Sequence, residues 1–177
     1  MAVILGIDPG SRVCGYGLIS TVGNKLEYIS SGCIKVADLA FVDRLQIIFE
    51  SVSDVIERYQ PDEVAIEEIF VGKSAVSALK LGQARGAIVV ACTNQKLPVH
   101  EYPPNQIKKA IVGKGRADKR QMQHMVSSIL KLSSAPQSDA SDALCVAVCH
   151  VHTQVSLNRI TGVEGSRRGR LQEVIKR

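Results

Sequence analysis

Asp8, Glu67, Asp139 and Asp142 are the residues of this chain whose types and places could do chemistry. Asp8 directly follows the apolar run Val3-Ile4-Leu5-Gly6-Ile7, which reads as a strand buried on both faces. Burying a carboxylate is costly unless it is paired or bound to a cation, so an acid at that point needs a reason. Asp8-Pro9-Gly10 is also a good turn tripeptide, and on this stretch alone the turn and a metal-binding role both stay open. Asp139 and Asp142 are three residues apart in Ser138-Asp139-Ala140-Ser141-Asp142, which puts them on one face of a helix in its first turn. N-terminal capping accounts for one acid there but not for the second. Crowded carboxylates repel one another, and a divalent cation relieves the repulsion. Hard oxygen ligands of this kind suit Mg²⁺ or Mn²⁺. Two ions about 3.5 to 4 Å apart would activate a water and stabilise the leaving oxygen of an in-line phosphodiester displacement. The chemistry this predicts is hydrolysis at phosphorus.

An anionic substrate needs flanking cations. Lys108, Lys109, Lys114, Arg116, Lys119 and Arg120 supply six, with Asp118 the sole acid between them. Taken alone, such a run is usually a solvated face; beside four carboxylates it reads as phosphate contact. Phe70 lies three residues past Glu67 in a loop with Lys73. It either tucks back into the core or stacks on an unpaired base, and the neighbouring lysine favours stacking.

The elements that must position these groups can be read in order. After the first strand, Cys14 to Thr21 and Leu26 to Val36 form two more, joined by short turns that favour an antiparallel meander. Apolar residues at helical spacing from Leu39 to Tyr59 predict a helix, closed by Pro61. Glu63 to Glu68 is a fourth strand, parallel to the first because it follows a helical crossover, with Glu67 at its end. Ser74 to Cys92 is a second helix with small residues at Ala78, Gly82 and Gly86, whose spacing alone favours close packing within the domain. Leu97 to Tyr102 is a fifth strand, followed by helices through Val112, from Asp118 through Leu130, and from Ser138 through His150. The sum is an α/β domain around a mixed five-stranded β-sheet. Functional groups of such sheets gather at the carboxyl ends of parallel strands, which is where Asp8 and Glu67 stand.

The 177 residues suit one domain, and 45% hydrophobic with 22% charged content suits a folded soluble protein. We read no uninterrupted membrane-length apolar run and no signal peptide, which predicts a cytoplasmic protein without a membrane partner. Five cysteines at wide spacings, Cys14, Cys33, Cys92, Cys145 and Cys149, predict neither a disulfide framework nor a zinc cage. The net charge of +5 is compatible with a polyanionic partner. Past residue 153 the periodic pattern stops. Six basic residues stand there against Glu164 and Glu173, which predicts a nuclease domain over 1–153 and a flexible basic tail over 154–177.

These residues resemble the RuvC family of Holliday junction resolvases from Met1 to about His152. The likeness rests on Gly6-Ile7-Asp8-Pro9-Gly10-Ser11-Arg12, on Ala65-Ile66-Glu67 with Phe70, on Ser77 to Gly86, and on Asp139-Ala140-x-Asp142-Ala143-Leu144. The resemblance implies an RNase H-like fold and a homodimer that nicks two opposed strands of a four-way DNA junction symmetrically, with Asp8, Glu67, Asp139 and Asp142 as ligands of Mg²⁺. It also implies a junction-stacking role for Phe70, phosphate contacts from Lys108 and Lys119, a T-rich cleavage sequence and cooperation with RuvA and RuvB. It places the helix around Ala78 to Gly86 at the dimer interface, against the reading from spacing alone. Two other classes compete. A nucleotide-binding protein of the sugar-kinase, chaperone and actin class needs two such domains, more than this length provides. A non-catalytic nucleic-acid-binding module leaves Glu67, Asp139 and Asp142 without a role.

Overall fold

Strand β1, Ala2–Asp8, lies at the centre of the sheet and is hydrogen-bonded on both sides. Its Leu5 and Ile7 side chains are fully buried, as a near-continuous apolar run requires. The structure is a computed structural model that describes residues 1–23, 25–69, 74–113, 115, 117–158, 163–167 and 170–173. On one side β1 pairs antiparallel with β2, Val13–Val22, which pairs in turn with β3, Lys25–Lys35. On the other it pairs parallel with β4, Glu63–Glu67, followed by β5, Val99–Tyr102. The order β3-β2-β1-β4-β5 is the mixed five-stranded sheet predicted from the sequence.

Alternation along the strands divides the core into two layers. Leu5, Ile7, Val64 and Ile66 face helices α1, Phe41–Tyr59, and α2, Ala75–Asn94, meeting Ile48, Val52 and Ile88. Ile4 and Ala65 face α3, Pro104–Val112, α4, Lys119–Ile129, and α5, Ser138–Asn158. Pro104 opens α3 at a position where a missing N–H costs nothing. Asp118 and Gln121 close a reciprocal capping box on α4, each side chain accepting from the other residue's backbone N–H.

Helix α5 is sandwiched between the sheet and the α3–α4 pair, and Ala143 through His150 are all buried, so it lacks an amphipathic stripe. Its approach to the sheet is as close as backbone allows. A Cβ on Gly6 would collide with the Ala143 carbonyl, one on Gly15 with the Asp139 carbonyl, and one on Gly17 with the Leu144 side chain.

Three sequence expectations differ from the structure. Gly82 and Gly86 have open space where a Cβ would go, so they do not serve packing within the domain. The buried face of α2 is instead Ala84, Ile88, Ala91 and Cys92, while Val76, Leu79 and Val90 are exposed. This helix is long and apolar enough to cross a membrane by length and composition, but its buried face packs in the α1 layer of the core. Finally, α5 continues through residue 153 to Asn158 with Leu157 buried, and β6, Val163–Arg167, pairs antiparallel with β7, Arg170–Glu173, inside the segment expected to be a flexible tail. Sparse apolar residues hid that backbone pairing, and such a two-stranded ladder is marginal alone.

Substituting Gly15→Ala should destabilise the protein by about 1–3 kcal/mol in chemical denaturation, because the new methyl must push α5 off the sheet. Gly82→Ala, at a helical site where a Cβ meets nothing within the subunit, should leave the stability of the isolated subunit unchanged or raise it slightly. Equal effects of the two would refute this packing argument.

Candidate active site

Asp8 ends β1 because the chain must turn there: Pro9 follows, and a Cβ on Gly10 would run into the Val13 carbonyl. Parallel pairing continues to Ile7 opposite Ile66, so the next residues, Asp8 and Glu67, leave the sheet side by side. Both sit on the Ile4 and Ala65 face, toward α5. Asp8 is opposite Gly15 in the β1–β2 register, and the Asp139 backbone lies directly over Gly15. One helical turn later Asp142 lines the same cleft as Asp8 and Glu67, a space of about 360 Å³. Thus two strand ends and the first turn of one helix converge.

The electrostatics confirm the crowding. Burial first, then the charges of Glu67, Asp142 and Asp139, push the Asp8 carboxyl up to about 8. Burial and Asp142 raise Glu67 as well, partly offset by a hydrogen bond from Asp8 and by Lys108 and Lys119. Asp8 and Glu67 therefore hold their protons more tightly than isolated acids do, as expected where positive charge is short. Hard, mutually repelling oxygens at a cleft fit a small divalent ion.

Two of the predicted cations are in place. Lys119 Nζ is 3.2 Å from Asp142 Oδ2, and Asp142 is the main cause of the upward shift of the lysine. Lys108 lines the cleft with Lys119. Phe70, Lys73, Lys114 and Arg116 lie outside the described residues. Glu68, which no spacing in the sequence singles out, also lines the cleft, and its N–H donates to the Tyr102 carbonyl at 2.9 Å. The Glu67-Glu68 doublet at a strand end was its only signal. A wider concavity of about 1670 Å³ between β3 and the turn after α4 lies away from Asp8, Glu67 and Asp142. Size does not locate the chemistry here.

Residues 4–150 match the family model described as crossover junction endodeoxyribonuclease RuvC. The chain belongs to the RuvC family. Among RuvC relatives it is 57% identical to that of Photobacterium profundum over 171 residues, covering 96% of this chain and 99% of the relative. It is 53% identical to that of Teredinibacter turnerae over 175 residues, covering 96% and 99%. Thermus thermophilus RuvC shares the fold with a TM-score of 0.79 and 34% identity over 87% of this chain and 96% of that one. The same protein in complex with Holliday junction substrate gives 0.81 and 35% over 86% and 94%. These RuvC structures bear out the RNase H-like α/β fold.

The raised Asp8 carboxyl has a sign that stability measurements can read. A carboxyl with a folded pKa near 8 and an unfolded value near 3.8 binds its proton more tightly in the folded state. Its contribution is full below about pH 4 and is lost as pH rises toward 8. In metal-free protein, Asp8→Asn should therefore melt above wild type by about 4 °C or more at pH 8 and show a much smaller gap near pH 4. A gap independent of pH would contradict this assignment.

Proposed function

We propose that this chain is a structure-selective endonuclease that resolves four-way (Holliday) DNA junctions by Mg²⁺-dependent hydrolysis, nicking two opposed strands symmetrically as a homodimer. The observation that carries it is the convergence of Asp8, Glu67 and Asp142 on one cleft with Asp139 on the adjoining turn of α5, in a chain of the RuvC family.

Asp8, Glu67, Asp139 and Asp142 are the proposed ligands, for two Mg²⁺ ions per subunit, with Mn²⁺ a chemically equivalent substitute. When bound, Mg²⁺ supplies Lewis-acid charge and a water of lowered pKa. The side chains do the rest. Lys108 and Lys119 at the cleft attract a phosphate of the strand to be cut, and the Lys119–Asp142 contact keeps that ammonium at the rim. Lys73, Lys114 and Arg116 extend the basic track, and Phe70 stacks on a base at the junction. The rigid end of β1 holds Asp8 against the scissile phosphate.

The second subunit docks on α2. Val76, Leu79 and Val90 form an exposed apolar face there, with Gly82 and Gly86 open enough for another backbone to come close. A soluble cytoplasmic enzyme of recombination and repair follows, acting with the RuvA and RuvB branch-migration proteins. We assign catalysis to residues 1–153 and additional contact with DNA to the basic segment 154–177.

Synthetic four-way DNA with Mg²⁺ tests the chemistry. Asp8→Asn should bind junctions and cut them at least a hundredfold more slowly than wild type; cutting at the wild-type rate would reject the metal-ligand role. Phe70→Ala should reduce cleavage with the circular dichroism spectrum unchanged, and full cleavage would return Phe70 to a packing role. In sedimentation, Leu79→Asp should convert a dimer into a folded monomer. A wild-type monomer at micromolar concentration would rule out the α2 interface.

A further inference from the structure

A second cluster of potential ligands sits at the other end of the sheet. Glu63 begins β4, four residues before Glu67 and so about 13 Å away along the strand. Its carboxylate meets His100 of β5 and His150 of α5. One oxygen, Glu63 Oε2, is 2.8 Å from His100 Nε2 and 3.2 Å from His150 Nε2. The three ligand atoms lie within 4.8 Å of one another, and the two rings are 4.6 Å apart between centroids.

Both contacts are at hydrogen-bond distance, but the ring N–H directions are poor for either of them. Neither His100 Nε2 nor His150 Nε2 has a directional partner, and both atoms are inaccessible to solvent. His150 is the more demanding of the two, since only 1% of it is exposed. Native proteins rarely leave a buried ring nitrogen unpartnered. The two nitrogens instead crowd one carboxylate oxygen.

The remaining contacts prepare His150 for that role. Its Nδ1 is 2.8 Å from the Tyr102 hydroxyl oxygen. With Nδ1–H donating to that oxygen, Nε2 carries the free lone pair, which is the tautomer a metal-binding imidazole needs. Burial holds the Tyr102 phenol neutral by raising its pKa. The imidazoles of His100 and His150 hold the Glu63 carboxyl well below the ordinary carboxylate range, so it is an anion at neutral pH.

We infer that Glu63, His100 and His150 form a second metal site, which takes a divalent transition ion of the Zn²⁺ class. Two imidazoles and one carboxylate are a donor set of that class, whereas Mg²⁺ prefers oxygen. Donors 2.0 to 2.1 Å from a tetrahedral ion stand about 3.3 Å apart, close to the two nitrogen–carboxylate separations of 2.8 and 3.2 Å. The Glu63 and His100 side chains are partly exposed, so the cluster lies near the surface at this end of the sheet. Bound there, the ion ties β4, β5 and α5 together. It acts as a clamp on the scaffold and stands apart from the phosphodiester chemistry.

The test is equilibrium dialysis of the full chain against Zn²⁺ in millimolar Mg²⁺, which occupies the acid cleft. Wild type should retain one chelator-reversible equivalent, and its melting temperature should rise by about 5 to 11 °C at a hundredfold excess over Kd. Lowering the pH should reduce the rise, because protons compete with the metal for its ligands. Glu63→Gln and His100→Gln should each weaken retention at least tenfold, and Tyr102→Phe by about 10- to 100-fold. Should a variant not fold, Co²⁺ added to wild type decides the matter through the visible absorption of a four-coordinate histidine site. If wild type retains no more Zn²⁺ than Glu63→Gln, or shows no such Co²⁺ spectrum, the cluster is a histidine–carboxylate ion pair and the inference is wrong.

Discussion

The close approach of α5 to the sheet is the constraint on which the rest depends. Gly6, Gly15 and Gly17 leave bare backbone where other residues would carry a methyl group, and α5 occupies the space. Because the contact at Gly15 is to the Asp139 carbonyl, the same packing that buries Leu144 and Ala147 also carries the first turn of α5 to Asp8. The helix is the most buried element of its layer, and its acids stand where it emerges from the core. A site built this way is positioned by strands and a helix, with little freedom to shift.

That rigidity has an electrostatic cost. Asp8 and Glu67 are held beside each other and near Asp142, whose charge raises the proton affinity of both, and burial removes the water that would screen them. Lys119 offsets part of the imbalance through Asp142, but it is mostly exposed and cannot neutralise the group. In metal-free protein this crowding is therefore destabilising. The Glu63 cluster at the opposite end is its chemical contrast: there the nitrogen donors lower the carboxylate's pKa, and the ion it suits is softer.

The outward faces divide by character. One side of α2 belongs to the core through Ala84 and Ile88, and the other presents Leu79, Val90 and two open glycines. Glycine is costly in a helix, and its presence at positions that touch nothing within the subunit favours the proposed dimer interface there. The cleft, in contrast, is rimmed by Lys108 and Lys119. Apolar docking and anionic substrate are thus assigned to different helices.

The sequence by itself determined the five strands, the antiparallel meander of the first three and the parallel sense of the fourth. Local periodicity marks each element, and the crossover rule makes the fourth strand parallel to the first. It also singled out Asp8, Glu67, Asp139 and Asp142, because acids at the edge of apolar segments conflict with burial wherever the chain places them. Other features depended on contacts between residues far apart in the chain. Spacing could not tell whether Ala78, Gly82 and Gly86 faced inward, since a stripe of small residues looks the same on either side of a helix. Glu63, His100 and His150 show no motif: one starts a strand, one sits in the next, and one is fifty residues further on in a helix. Only the parallel pairing of β4 with β5, and the seating of α5 across both, brings a carboxylate and two imidazoles together. Local pattern is written in neighbouring residues, whereas such convergence comes from packing, and packing is where tertiary structure decided.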